Sequence, residues 1–332
     1  MSPTLPILEM SGFRADPASL AGRQFVEDLR EACHGPGFVY LRGHGVDDRL
    51  MESAMLHARK FFALPAEDRE ALAIGTSAAF RGYTIIGDER TKGRTDWREQ
   101  LDIGPEQEAP TMEPGDPEWR KLRGPNQWPH RLPEMKPATL EWSAAMEQVG
   151  ICAMRALALG LGQPIDFFDD GYLPESDFHV KIIRYPPQRE FADTGQGVGL
   201  HHDSGLLTFI HQDELGGLQV ELDGQLVEVP LVPGALVMNL GEMLQSATGG
   251  YLRATAHRVD SPPPGKERIS LAYFFNPRFE TVFEPIPLPP ELIAEAPGGE
   301  NEWADDPIHS VFGDNNLKIR LRSHPDVARN HY

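Results

Sequence analysis

The sequence predicts a mainly β protein with flanking helices, in which a jelly-roll core follows a helical N-terminal region. The first observation is a set of short strand-like runs separated by glycine and proline turns, which is typical of sandwiches and jelly rolls. These runs are residues 179–185, 206–210, 218–222, 226–229, 235–238 and 269–274. The second is the pair Asp223-Gly224 between two alternating runs, because both residues of a type I′ hairpin turn need positive φ.

The third observation is helical periodicity in the first half of the chain. Phe25, Leu29 and Cys33 recur at four-residue spacing, and a Gly-Pro-Gly stretch follows them. Asp16 before Pro17 resembles an N-cap followed by proline at the first helical position, so we expect the helix to begin there.

Two more helices are predicted. One begins after Asp47 or Asp48 and ends before Pro65, and the other spans about 137–159. Residues 75–135 are rich in glycine, proline and charges and are predicted to be irregular. The tail from about residue 285 is proline-rich and then acidic around 300–306, which we interpret as a lid or surface wrap.

Composition limits the class of partner and the compartment. The 332 residues carry a formal net charge of −19, which opposes binding to nucleic-acid phosphates or to an anionic membrane. The first residues lack the basic and apolar segments of a signal peptide, and no apolar run reaches the roughly 18 residues of a membrane span. The two cysteines, Cys33 and Cys152, favour a reducing cytoplasm.

Three His-x-Asp pairs are candidate metal sites, although so short a motif also recurs by chance. His324 and Asp326 flank a proline, which argues against a central strand. His211 and Asp213 lie where a strand runs into a polar turn, so a structural role is favoured there.

The third pair, His201 and Asp203, precedes an apolar strand and follows a glycine-rich stretch. Alternation along a strand places these two side chains on one face and His202 on the other, so we do not expect His202 to ligate. Alone, His257 is more readily a structural histidine than a ligand. Together with His201 and Asp203, it would complete the two-histidine, one-carboxylate set that suits non-haem Fe(II) with open positions.

A second motif supports this interpretation. Arg268 and Ser270 lie two positions apart on one predicted strand, so they would face the same way and present a guanidinium fork and a hydroxyl to a carboxylate. A metal set beside a carboxylate clamp is the arrangement that an iron-chelating α-keto acid needs.

These residues resemble the isopenicillin N synthase-like family of Fe(II)/2-oxoglutarate-dependent oxygenases. The resemblance covers most of the chain and is carried, in order, by residues 38–46, 185–187, 201–208, 216–220, 241–250, 257–259 and 268–270. It implies a double-stranded β-helix wrapped by helices. The implied division is an N-terminal region at 1–135, a helix with the jelly-roll catalytic core at 136–284, and a packing tail or lid at 285–332.

The resemblance also implies roles for the site residues. His201, Asp203 and His257 would hold Fe(II), while Arg268 and Ser270 would bind the far carboxylate of 2-oxoglutarate with help from the Tyr185 hydroxyl. Many relatives carry asparagine at the position of Ile183, so one supporting contact differs here.

The implied reaction oxidises a small molecule with O₂ while 2-oxoglutarate becomes succinate and CO₂. Hydroxylation, desaturation and cyclisation fit the retained Asp203, since halogenating relatives carry a small residue there. Alternatives are oxidation without 2-oxoglutarate, as in isopenicillin N synthase, an ethylene-forming type, a protein hydroxylase, and a non-catalytic metal-binding jelly roll.

The substrate pocket is harder to locate in the sequence, and the oligomeric state is not indicated. By the resemblance, Arg81, Tyr83 and Arg94 lie in a loop near the entrance, where they would meet an anionic or polar substrate. A solvated charged loop is an equally good interpretation. Phe274 and Asn276 follow the clamp on its strand and would line the pocket, although Phe274 fits a core position as well. We favour a small-molecule substrate of secondary or amino-acid metabolism.

Overall fold

Two large β-sheets, a short two-stranded sheet and a layer of helices form the molecule in the computed structural model, which describes residues 4–187, 196–297 and 308–332. The strands are β1 Ile7–Glu9, β2 Phe38–Arg42, β3 Gly82–Thr84, β4 Arg90–Thr91, β5 Arg94–Thr95, β6 Glu99–Ile103, β7 His179–Tyr185, β8 Gln196–His201, β9 Leu207–Gln212, β10 Leu218–Leu222, β11 Gln225–Glu228, β12 Leu236–Leu240, β13 His257–Asp260 and β14 Arg268–Phe275. The helices are α1 Ser11–Ala15, α2 Leu20–His34, α3 Asp48–Phe62, α4 Ala66–Glu70, α5 Met135–Gly160, α6 Asp169–Tyr172, α7 Glu242–Ala247, α8 Pro290–Glu295, α9 Phe312–Ser323 and α10 Pro325–His331.

The larger sheet has the strand order β1-β2-β12-β9-β14-β7-β6-β3, and the smaller sheet has the order β11-β10-β13-β8. One cluster of buried apolar side chains draws on both sheets and includes Tyr185, Ile210, Val220 and Val259. A second and larger cluster joins the large sheet to the helices. The predicted jelly roll with flanking helices is therefore confirmed.

Helix α5 packs against the large sheet at very short range. Its face buries Trp142, Met146 and Val149, as the helical periodicity predicts. Gly150 lies against the ring of Phe275, and a Cβ atom at this glycine would come within 2.4 Å of that ring. A glycine is therefore required where the helix crosses β14.

The predicted hairpin turn is also confirmed. Asp223 and Gly224 have φ values of 50° and 74° and connect Leu222 to Gln225, its partner across the antiparallel pair β10–β11. Likewise α3 begins where predicted, with the Asp47 carboxylate accepting a hydrogen bond from the backbone N–H of Arg49.

Two expectations from the sequence differ from the structure. Helix α2 begins three residues after Pro17, because Ser19 is its N-cap and accepts from the N–H of Gly22, whereas Asp16 accepts from Ala18 in the preceding turn. The segment 75–135 is not all irregular, since β3 to β6 lie in it. The tail folds as α8 to α10, while the acidic stretch at 300–306 lies outside the described residues.

The N-terminal region contributes directly to the core. Strands β2, β3 and β6 belong to the same sheet as β7, β9 and β14. Strands from both sides of residue 135 therefore hydrogen-bond in one sheet. The predicted division of the chain into three regions, at residues 135 and 284, stays a prediction.

Candidate metal and co-substrate site

Strands β8 and β13 pair so that His201 lies opposite His257 at one end of the small sheet. Asp203 follows two residues after His201 and lies just beyond the strand end. The Nε2 atoms of both histidines are 3.8 Å from Asp203 Oδ1. Among the described residues, this is the one group of three or more His, Cys, Asp or Glu side chains that the structure brings together closely enough to hold a metal ion, with ligand atoms within 4.8 Å of one another.

Hydrogen bonds orient the two imidazoles toward this point. His201 Nδ1 lies 2.9 Å from the Gly199 carbonyl, and His257 Nδ1 lies 3.1 Å from the Thr255 carbonyl. A carbonyl accepts, so each Nδ1 carries the proton and each Nε2 presents a lone pair. Burial, and then the neighbouring His257, lower the pKa of His201 to about 3, which keeps it neutral.

Asp203 divides its two oxygens between different partners. Oδ2 accepts from Thr208 Oγ1 at 2.6 Å and from Asn239 Nδ2 at 2.7 Å, which leaves Oδ1 facing the imidazoles. Burial alone would raise the pKa of Asp203, but His257, His201 and these two hydrogen bonds lower it overall. Two lone pairs and an anionic oxygen thus converge, a donor set that fits a divalent cation with open positions.

The side chains of the other two His-x-Asp pairs contact other parts of the protein. Asp213 accepts from the Ile269 N–H at 2.6 Å and from the Leu215 N–H at 3.1 Å, so it fastens a turn to β14. His324 Nε2 lies 3.3 Å from Glu89. His202 pairs with Glu242 at 3.6 Å and is not part of the metal-binding group.

The residues predicted to form a carboxylate clamp on β14 lie together inside the jelly roll. Arg268 is 1% exposed, its Nη1 donates to Ser270 Oγ at 3.0 Å, and its guanidinium lies 4.9 Å from the centroid of the Tyr185 ring. Its Nε has no partner although it is buried. A buried guanidinium with an unused donor fits a carboxylate ligand, because such a donor otherwise loses its hydrogen bond on burial.

Gln212 on β9 is a residue that the sequence did not indicate. Its Oε1 accepts from Arg268 Nη2 at 2.9 Å, while its Nε2 donates to the Val229 carbonyl at 2.9 Å. The second bond fixes the orientation of the amide, so the first holds the guanidinium in place. Strands β9 and β14 pair with Gln212 opposite Ser270, and because that register appears only in the folded sheet, the sequence carried no signal for this residue.

Comparison with known proteins shows the family. Residues 5–131 match the family described as the N-terminal part of the non-haem dioxygenase in morphine synthesis. Residues 177–277 match the 2OG-Fe(II) oxygenase superfamily. The chain belongs to the 2OG-Fe(II) oxygenase superfamily.

Similar proteins extend this oxygenase assignment over nearly the whole chain. The 2-oxoglutarate-dependent dioxygenase frbJ of Dothideomycetidae sp. (strain 11243) is 31% identical, and the match covers 98% of this chain and 91% of frbJ. Homoarginine-6-hydroxylase 2-ODD-233 of rice is also 31% identical, with 90% of each chain covered. The crystal structure of a full-length Neurospora crassa protein in complex with alpha-KG and thymine superposes with a TM-score of 0.77 at 25% identity, covering 96% of each chain.

The oxygenase therefore uses Fe(II), 2-oxoglutarate and O₂ to oxidise a small molecule. Of the alternatives that the sequence left open, this outcome favours the 2-oxoglutarate-dependent enzyme, and its core is the double-stranded β-helix of its structural neighbours. Among the described residues, no helix is both long and apolar enough to cross a membrane.

A cavity of about 580 Å³ opens from the triad and the clamp of this oxygenase. Of the five residues predicted to meet the substrate, Phe274 and Asn276 line it. Arg81, Tyr83 and Arg94 are not among the lining residues. Tyr83 instead donates to Glu99, and Arg81 contacts His179 at 3.5 Å from behind the wall.

The cavity also has lining residues that the sequence did not indicate. They include Glu89, Arg98, Lys181, Phe312, Ile319, Arg320 and His324. Four of them come from α9 and the residue that follows it, so the C-terminal segment forms part of the wall. The lid or wrap expected of the tail stays a prediction, and nothing in the sequence indicated which side chains would face the cavity.

Proposed function

We propose that His201, Asp203 and His257 hold the Fe(II) of this oxygenase. The single observation that carries the proposal is the convergence of two Nε2 lone pairs and Asp203 Oδ1 at one end of the small sheet. Thr208 and Asn239 support it, because they occupy Asp203 Oδ2 and so keep the other oxygen available.

We further propose that Arg268 and Ser270 bind the far carboxylate of 2-oxoglutarate, with Tyr185 beside them. The guanidinium fork suits a planar carboxylate, and its unused Nε provides one more donor. Apolar side chains such as Ile183, Val198 and Leu218 line the cavity around the clamp. They exclude water and strengthen the ion pair between guanidinium and carboxylate.

With Fe(II) and 2-oxoglutarate bound, the site supplies an oxidant for a C–H bond of the substrate, by hydroxylation, desaturation or ring closure. The residues of the chain place that bond and shield it, and Phe274 and Asn276 lie where they would contact the substrate. The net charge of −19 supports a small molecule rather than a nucleic acid as partner. The two free cysteines support a cytoplasmic location.

The first experiment compares three alanine variants. His201→Ala and Asp203→Ala each remove a ligand atom, so we expect loss of Fe(II) binding and loss of succinate release from 2-oxoglutarate. His202→Ala is the matched control, because His202 pairs with Glu242 and lies outside the triad. It should keep both properties to within a few-fold.

Calorimetric titration of the metal-free protein under argon reports metal affinity, and succinate formation reports turnover. Retention of turnover in both ligand variants, or equal loss of metal in His202→Ala, would contradict the metal site. Oxygen consumption with and without 2-oxoglutarate tests the co-substrate separately. Metal binding without any consumption of 2-oxoglutarate would instead favour a non-catalytic metal-binding jelly roll.

A further inference from the structure

The side chains that β7 directs into the cavity change in polarity along the strand. Tyr185 and Ile183 lie beside the clamp, whereas Lys181 and His179, at the same alternate spacing, line the other end of the cavity. Phe274 on β14 lies opposite His179 in the register, with ring centroids 5.6 Å apart. The same residue lies opposite Thr208, which donates to Asp203. The side chain of Phe274 therefore lies between the charged end of the cavity and the triad.

Three mostly buried cations line this charged end, and Arg90, Lys92 and Arg322 line the same cavity. The side chains of Lys181, Arg98 and Arg320 are 16%, 11% and 11% exposed. They come from β7, from the residue before β6 and from α9, so three separate segments converge on it. A single carboxylate, that of Glu89, is shared between Lys181 at 3.0 Å and Arg98.

Arg320 has a different partner. Its Nη1 lies 3.3 Å from Asp102, which is fully buried behind the wall and does not line the cavity. Asp102 also lies 2.8 Å from His179 Nε2 and holds that ring in place. Burial, and then the charge of Arg320, hold the pKa of His179 well below its usual range, so this ring is neutral.

The charges of the wall do not cancel. Apart from the triad and the clamp, six cations and two carboxylates line the cavity, namely Arg90, Lys92, Arg98, Lys181, Arg320, Arg322, Glu89 and Glu242. Asp96 and Asp102 do not line it but pair with Arg98 and Arg320, so the cations still outnumber the carboxylates. The iron end is balanced on its own, because Fe(II) and Arg268 offset Asp203 and the dianionic co-substrate. Surplus positive charge therefore lines the cavity of a protein whose net charge is −19.

We infer that the substrate of this oxygenase carries a carboxylate, which binds against Lys181 and Arg320 and directs the rest of the molecule past Phe274 toward the triad. This inference rests on the proposed function and adds the class of substrate. A carboxylate offsets part of the surplus positive charge, and it accepts hydrogen bonds from both an ammonium and a guanidinium.

The rest of the bound molecule faces a mixed surface. Phe274, Met243, Phe312 and Ile319 supply apolar contacts, and Asn276 supplies an amide. We therefore expect a carboxylic acid with a largely uncharged body. Because Arg320 and Ile319 belong to α9, this helix takes part in selecting the substrate.

The test measures binding without turnover. The protein is loaded with Mn(II) in place of Fe(II) and with saturating 2-oxoglutarate, so that the Arg268 clamp is filled. Phenylacetate and octanoate are then titrated by calorimetry against their matched amides, phenylacetamide and octanamide, and against octylamine. The wild-type protein should bind each acid at least about tenfold more tightly than its amide, as expected for a charge-assisted pair.

Variants assign that preference to residues. Lys181→Met and Arg320→Met should each reduce the preference for acid over amide to near unity, whereas Lys181→Arg should keep it. The exposed Lys266→Met, which removes the same charge away from the cavity, is the control and should behave as wild type. Melting temperatures are measured alongside; if Lys181→Met does not fold, Arg320→Met and the wild-type comparison still decide.

The inference is overturned if amides or the amine bind as tightly as the acids, or if both variants retain the preference. Binding of 2-oxoglutarate to the Mn(II)-loaded protein is measured first. Its absence would count against the proposed function, and the carboxylate subsite would then be tested in the protein without co-substrate.

Discussion

At the scale of single residues, the site depends on how each polar group divides its hydrogen-bonding capacity. Asp203 gives one oxygen to Thr208 and Asn239 and keeps the other for the triad. Arg268 does the same with its donors, of which one goes to Ser270, one to Gln212, and the buried Nε to no protein group. In both cases protein contacts fix the orientation, and the remaining atoms are available to a ligand.

Gln212 gives the prediction that belongs to this scale. Gln212→Leu removes the acceptor from Arg268, so the guanidinium loses an orienting bond that is worth about 1.5–3 kcal/mol when one partner is charged. We expect the half-saturating concentration of 2-oxoglutarate to rise at least about tenfold, with the metal affinity unchanged. Initial rates against 2-oxoglutarate and metal titration check the two parts.

Gln219→Leu is the matched control, because this amide contacts Glu228 and Arg258 outside the cavity. An unchanged response to 2-oxoglutarate in Gln212→Leu, or the same rise in Gln219→Leu, would refute a positioning role for Gln212.

At the scale of elements, strand alternation explains the cavity. Successive inward positions of β14 carry Arg268, Ser270, Ala272 and Phe274, and the paired β7 adds the polar and apolar groups opposite them. Strand alternation does not explain the position of Asp203, because β8 ends at His201. The exclusion of His202 is thus supported by its contact with Glu242 more than by the alternation from which we predicted it.

The start of α2 provides a prediction about an element. Ser19→Ala should lower the free energy of unfolding by about 1 kcal/mol, because the Gly22 N–H then loses its side-chain acceptor. Asp16→Ala should cost less, since Asp16 caps only a turn. Urea unfolding of both variants measures the difference. A larger loss of unfolding free energy in Asp16→Ala would indicate that Asp16 is the N-cap, as the sequence suggested.

At the scale of the whole molecule, Glu89 joins distant parts of the chain. Its carboxylate accepts from Gln100 and from Lys181, contacts Arg98, and lies 3.3 Å from His324. The N-terminal region, the core and the C-terminal segment therefore meet at one buried anion. Burial alone would raise the pKa of Glu89, but Arg98 and Lys181 hold it well below its usual range.

Glu89→Gln should accordingly destabilise the fold by about 3 kcal/mol at neutral pH, because the mostly buried Lys181 loses its anion and Arg98 keeps only Asp96. The folded pKa is depressed, so this stabilisation is present above the unfolded value of about 4.3 and is lost as the pH falls toward the folded value. Urea unfolding of both proteins at neutral pH and below pH ~4 should show the difference shrinking with acidity.

Glu214→Gln is the comparison, since Glu214 is 82% exposed and its pair with Arg59 is solvated. A difference between wild type and Glu89→Gln that is absent at neutral pH, or that grows in acid, would contradict the role given to Glu89.

The sequence by itself determined the fold class and the candidates for the triad and the clamp. Periodicity reports which residues are buried, and the spacing of His201 to Asp203 and of Arg268 to Ser270 is short enough to be read along one segment. The same local information located the turn at Asp223, because that turn requires positive φ. The sequence did not predict strand β6, because Glu99, Gln100 and Asp102 are buried polar residues that break the expected hydrophobic pattern.

Only the tertiary structure decided which side chains complete the site. Gln212 meets Arg268 through the pairing of β9 with β14, and Arg320 meets the cavity because α9 returns across it. Arg81 and Tyr83, by contrast, are close in sequence to the expected entrance but turn to other partners. Such contacts join residues far apart in the chain, so their energy depends on distances that local pattern does not encode.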